Sequence, residues 1–185
     1  MTWHNTAHHY GAISLTLHWL MVFLVVFMFS LGWGREFVDG SLRLTFLTLH
    51  KSIGIFILCL AFIRLAWRFI SPPPFYPSTL TAIEKSAATS VHTGLYIFLI
   101  ALPLSGWAMV SFFGQILSFF GIFDLPSLFH KNRDLAFILK QGHGILAYFF
   151  AGIIGLHSGA ALYHHLIKKD DILRRIIPFL YRQGL

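Results

Sequence analysis

The sequence predicts an all-α protein: a transmembrane four-helix bundle, formed by one domain over residues 1–185. Three observations predict it. Of the 185 residues 56% are hydrophobic and 11% charged, with a mean hydropathy of +0.70, whereas a soluble domain carries about a quarter charged residues. The apolar residues gather into four runs, each long enough for the ~20 residues that cross hydrocarbon. Short polar or proline-rich stretches separate the runs and leave no length for a second domain.

Residues 1–12 form a polar, His-rich lead-in. The first span covers about 13–33, with His18 and Trp19 near its start, and Gly32, Gly34, Arg35, Glu36 and Asp39-Gly40 make the first loop. The second span covers about 48–70, opening on His50 and Lys51 and closing with Arg64 and Arg68. Pro72-Pro73-Pro74 ends it, because proline lacks a backbone donor and disfavours helix before it. The third span, about 91–113, starts at His92 and contains Pro103, which should kink it. Residues 114–133, apolar and glycine-containing, read as a loop lying in the interface. The fourth span, about 135–167, exceeds what a bilayer needs, so its ends should project or tilt. A basic tail follows and ends after Pro178.

The single cysteine, Cys59, sits in an apolar run, so one chain can hold neither a disulfide nor a cysteine metal site. No C-x-x-C-H is present for covalent haem attachment. The net charge of +7 belongs to membrane anchoring and topology, not to nucleic acid. No cleavable leader is evident. With both termini on the cytoplasmic side, eight Lys and Arg fall inside and six outside, a modest positive-inside bias.

The unusual residue is histidine, of which there are eleven. His143 and His157 lie fourteen residues apart in the fourth span, which returns a helix to within ~40° of one face and ~21 Å along its axis. His50 opens the second span at the depth of His143, and His18 stands in the first at the depth of His157. The intramembrane histidines thus form two level pairs, each shared between the fourth span and another helix. A lone imidazole near a helix end is usually interfacial or hydrogen-bonded; hydrophobicity does not explain matched pairs.

Haem b fits such pairs, its iron taking two axial imidazoles and its apolar macrocycle filling a gap between helices. Zinc wants three or four convergent ligands, commonly with Cys or carboxylate, and these spans contain no Asp or Glu. Ala147, Ala151, Gly155 and Gly159 form an i, i+4 stripe that would admit a flat ring, although alone it reads as ordinary small-residue helix packing. Lys51, Arg43 and Lys140 could pair with the propionates of an outer haem, or simply anchor helix flanks. His92 shares the depth of the inner pair, as a neighbour of the ligands, a quinone contact or an alternative inner ligand. His164 lies two turns beyond His157, as a quinone or proton-transfer group or as a solvated interfacial residue. His4, His8, His9 and His130 fall in loops.

At these residues the chain resembles the prokaryotic cytochrome b561 family, di-haem membrane proteins related to the cytochrome b subunits of nickel–iron hydrogenases and formate dehydrogenases. The resemblance covers nearly the whole chain. It rests on Tyr10-Gly11 with Leu17-His18-Trp19-Leu20, on Leu49-His50-Lys51-Ser52-Ile53-Gly54, and on Arg64 ahead of Ser71-Pro72-Pro73-Pro74. His92 before Ala101-Leu102-Pro103, and Gly155-Leu156-His157 running to Tyr163-His164-His165 and Lys169-Asp170-Asp171, complete it. It implies two non-covalent haems b, with His18 paired to His157 and His50 to His143 as axial iron ligands. It also implies the bacterial inner membrane and electron exchange with a ubiquinone-type quinone. One member type oxidises superoxide.

The expected function is therefore di-haem electron transfer with the quinone pool, with superoxide or another small reductant as a possible donor at the periplasmic face. Two alternatives stand beside it. One is an electron-transfer subunit for a separate periplasmic or peripheral redox protein; the other is a haem-free membrane transporter, which a reducible b-type spectrum would exclude.

Overall fold

The computed structural model describes residues 2–177. The stretch from Pro178, with Arg182 among the inner cations, lies outside the described residues. Four long helices follow in order: α1 Ala12–Gly34, α2 Gly40–Ile70, α3 Ala82–Phe112 and α4 Arg133–Tyr163. Between α3 and α4 stands a small hairpin of β1 Leu117–Phe119 and β2 Phe123–Leu125. All four helices are long and apolar enough to cross a membrane. Phe23, Val26, Phe62, Ile63, Ile97, Ile145 and Phe149 lie exposed on their outer faces. Apolar groups turned outward are what a lipid solvent selects, and the chain is a multi-pass membrane protein.

Each terminus has a local cause. The lead-in is pinned by Asn5, whose backbone amide donates to Ser71 Oγ at 2.9 Å and whose side-chain amide donates to the Ser71 carbonyl at 2.8 Å. Asn5 Oδ1 accepts from the Gly11 amide at 2.8 Å. A Cβ at Gly11 would stand 2.5 Å from the His4 carbonyl, so only glycine lets the lead-in fold this closely. Helix α2 stops at Ser71, one residue before the prolines, as the sequence predicts. Thr81 and Glu84 form a reciprocal capping box at the start of α3, which runs unbroken past Pro103. Asn132 Oδ1 accepts from the Leu135 amide at 3.1 Å and caps α4. That helix closes in a wider π turn, His164–Lys168, ended by Lys169 in the left-handed region at φ 55°.

The hairpin is a feature that the sequence reading of residues 114–133 as a loop lying in the interface does not contain. Leu117 pairs with Leu125 and Phe119 with Phe123 across a three-residue connection, Phe120 to Ile122. The Ile122 amide donates to the Phe119 carbonyl at 2.9 Å, and the two residues between them have positive φ, Phe120 at 50° and Gly121 at 73°, the geometry that matches strand twist in a tight hairpin. Phenylalanine is unfavourable there, and Ser52 compensates: its fully buried hydroxyl accepts from the Phe120 amide at 3.0 Å and donates to the Ser118 carbonyl at 3.1 Å. The hairpin is thereby tied to α2 two residues after His50.

A buried apolar seam joins α1 and α2 through Met21, Leu24, Leu31, Ile53, Ile57, Leu60 and Ala61. Helix α2 also packs on α3, and α3 on α4. Among the described residues no backbone of α4 comes close to α1 or α2. Four helices therefore leave a slot on the inner flank of α4, and what bridges it is a series of ring-bearing side chains.

Candidate functional site

The end of the slot beside the α1–α2 connection, termed outer, is bridged by His50 of α2 and His143 of α4, whose ring centres lie 6.2 Å apart at 75°. The end beside the chain termini, termed inner, is bridged by His18 of α1 and His157 of α4, at 6.4 Å and 66°. The four histidines that the sequence sorts by depth thus come together in the two expected pairs. Two imidazoles on one metal, each with a bond of about 2 Å and a ring centre about 1.1 Å behind the nitrogen, would be about 6.3 Å apart. The ring separations at both levels fit two imidazoles on one iron.

At the outer level the surroundings favour a neutral imidazole with a bare Nε2. Ser105 Oγ gives its proton to the Leu102 carbonyl at 2.7 Å, so toward His143 Nδ1, at 2.9 Å, it acts as acceptor. Nδ1 then carries the proton and Nε2 presents a lone pair, the tautomer a metal ligand needs. His50 Nδ1 is buried and, among the described residues, has no hydrogen-bond partner. Gly32 of α1 and Gly106 of α3 make room for the rings: a Cβ would stand 3.2 Å from His50 Cε1 and 3.4 Å from His143 Cε1. Sequence reasoning missed the contacts of both glycines, having placed Gly32 in the first loop, whereas it lies within α1, and the small-residue stripe on α4. There, Gly155 and Gly159 face open space, with nothing within 4 Å of a Cβ.

The inner level is more crowded. Arg64 Nη2 lies 3.2 Å from His18 Nδ1 and Nη1 lies 3.8 Å from Met21 Sδ. A guanidinium can only donate, so His18 Nδ1 here accepts and its Nε2 carries the proton. Ligation through Nε2 as a neutral imidazole therefore requires Arg64 to turn away. His92 packs against His157 at 5.2 Å and 63°, closer than the distance for two rings on one metal. It is a ring neighbour of His157.

Charged residues flank both levels. Lys51 Nζ donates to Gln115 Oε1 at 3.1 Å, which ties α2 to the residue entering the hairpin. Arg43, two turns before His50, is exposed and pairs with Glu36 at 3.8 Å. At the inner rim His164 Nδ1 meets Asp170 Oδ2 at 2.5 Å, and both side chains are at most one-tenth exposed. Lys168 pairs with Glu84, joining the end of α4 to the start of α3. The tail folds across this face, with Trp19 Nε1 donating to the Ile176 carbonyl at 2.9 Å and Arg175 to the Phe75 carbonyl at 2.8 Å. Tyr10 lies at the same end, and burial pushes its phenol above the ordinary value against the pull of Arg68.

Comparison with known proteins gives consistent results. A family model described as prokaryotic cytochrome b561 matches residues 9–179. Cytochrome b561 homolog 2 of Escherichia coli K12 is 36% identical over 180 residues, spanning 96% of this chain and 95% of the relative. The Yersinia pestis protein named "Probable superoxide oxidase CybB" is 35% identical over 170 residues, or 91% and 96% of the two chains. Cytochrome b561 homolog 1 of E. coli K12 is 32% identical over 175 residues, or 92% and 98%.

Proposed function

The chain belongs to the prokaryotic cytochrome b561 family, membrane electron-transfer proteins that use haem b, and from that premise we propose that it carries two haems and serves the quinone pool. The outer haem is held by His50 and His143, the inner one by His18 and His157. The observation that carries this assignment is the pair of ring separations, 6.2 and 6.4 Å, at two depths of one helix. At each level the two imidazoles would hold the iron of a haem, which would supply one-electron exchange there. The chain places the two levels ~21 Å apart along α4, so that an electron arriving at one face can leave near the other.

The acceptor is a ubiquinone-type quinone at the inner rim, beside the His164–Asp170 pair. Asp170 holds His164 Nδ1 and so fixes the ring's orientation, and the imidazole is the group in reach to exchange a proton with a quinone oxygen. The donor is a small reductant that reaches the outer face. The name of the Yersinia pestis relative makes superoxide the first to try. The residence proposed is the bacterial inner membrane, with one domain over the whole chain and both termini cytoplasmic.

Purified protein tests the reading directly. It should be red, show a reducible b-type spectrum and contain two haems per chain, and superoxide should drive ubiquinone reduction with no other protein added. A b-type spectrum without that turnover would turn the reading toward an electron-transfer subunit that needs a separate periplasmic partner. Colourless protein that takes up no haem would sink both.

A further inference from the structure

Midway between the two histidine levels of α4 stands Phe150, seven residues after His143 and seven before His157. Seven residues are nearly two helical turns, so the three side chains share one face at steps of ~10 Å. Phe150 is 5% exposed, and it and Ala136 are the buried residues of α4. Its burial needs explaining, since α1 and α2 stay away from this helix. Two further phenylalanines account for it. Phe98 of α3 stacks on it at 5.7 Å and 14°, and Phe29 of α1 meets it at 6.0 Å and 36°. Three helices thus send one aromatic ring each to the same depth. The slot is closed there by hydrocarbon, between two levels where it is bridged by imidazole.

We infer that Phe150, clasped by Phe29 and Phe98, is the septum between the two cofactor levels and the packed path by which an electron passes from one to the other. The inference rests on the two-haem reading above. An electron given up at one level is taken up at the other, one side oxidised as the other is reduced, with no bond formed or broken and no proton moved. All that the chain must supply between the levels is a dry, filled and fixed medium. Phenylalanine suits this: it cannot ligate iron, hold water or carry a proton, and stacked rings fix the filling in one geometry. A gap in its place would be empty or would admit lipid or water, and a gap even 1 Å wide forfeits much of the contact between its walls.

The test uses the full-length haem-loaded protein in detergent or nanodiscs. Wild type is read first: two haems per chain are required, and a lower number overturns the two-haem reading independently of the septum. Phe150→Ala and Phe150→Leu are then compared for haem content, static spectrum and the rate at which a flash-injected electron redistributes between the haems. Phe150→Ala should keep both haems and their spectra while redistribution slows, because a packed path becomes an unfilled cavity. Phe150→Leu, which restores apolar filling without the ring, should lie between. Should the alanine variant fail to load, the leucine variant alone decides, by slower or unchanged transfer. Redistribution at wild-type speed in a two-haem variant overturns the inference. So does loss of a haem from Phe150→Leu, because the ring would then build a binding slot and not a path.

Discussion

Ser105 lends His143 an acceptor: its hydroxyl proton goes to the Leu102 carbonyl at 2.7 Å, which leaves the oxygen, 2.9 Å from Nδ1, to receive the imidazole proton. Pro103 sits between Leu102 and Ser105 and removes a backbone donor from this turn. A missing backbone donor and the orientation of His143 thus meet in one place. Such outer partners tune metal affinity by about 10–100-fold. Ser105→Ala should lower retention of the outer haem by about tenfold on that scale, read as faster haem loss to apomyoglobin. An unchanged loss rate would mean that the Leu102 carbonyl orients His143 unaided.

The pairing of levels makes a four-way prediction. His50→Ala and His143→Ala should remove the same haem, and His18→Ala and His157→Ala the other, each variant holding one haem per chain by pyridine haemochrome assay. His92→Ala should keep both haems, since its ring lies closer to His157 than two ligands of one iron would. A one-haem His92→Ala beside a two-haem His18→Ala would reassign the inner ligand.

Arg64 must leave His18 Nδ1 when that histidine binds through Nε2, and its charge is then free for the carboxylates of the macrocycle. A nearby cation favours the reduced form, so its removal lowers the potential. Arg64→Leu should bring the inner midpoint down by about 30–60 mV, roughly the 59 mV that a tenfold change represents for one electron. Redox titration reads it, and the outer midpoint serves as the control.

Ser52 holds the hairpin by two hydrogen bonds from a fully buried site. Ser52→Ala strands the Phe120 amide and the Ser118 carbonyl, at a cost of about 1–3 kcal/mol each where water cannot reach. With the compensation for Phe120 gone, amide exchange should quicken over residues 117–125 and leave the helices unchanged. Exchange mass spectrometry checks this.

His164→Gln should leave haem content and spectrum intact and slow quinone reduction at least several-fold, because the proton-exchanging ring is lost from the inner rim. Full turnover in that variant would move the quinone contact elsewhere.

Much of this was legible in the chain itself. Four apolar runs of bilayer length left no other fold, because only helices or closed barrels satisfy backbone groups in hydrocarbon. The depths of His18, His50, His143 and His157 followed from helix rise alone, since a residue's place along a span is a matter of counting. What counting could not reach was lateral. Which helices stand beside α4, and that α1 and α2 stay back from it, depends on packing between segments far apart in sequence. The contacts of Gly32 and Gly106 therefore escaped notice, as they are made to imidazoles of other helices. So did the bond from Arg64 to His18, the contact of His92 with His157 and the hairpin tied to α2 near His50, whose strained turn a serine on α2 holds. Depth is a property of one helix, whereas neighbours are a property of all four.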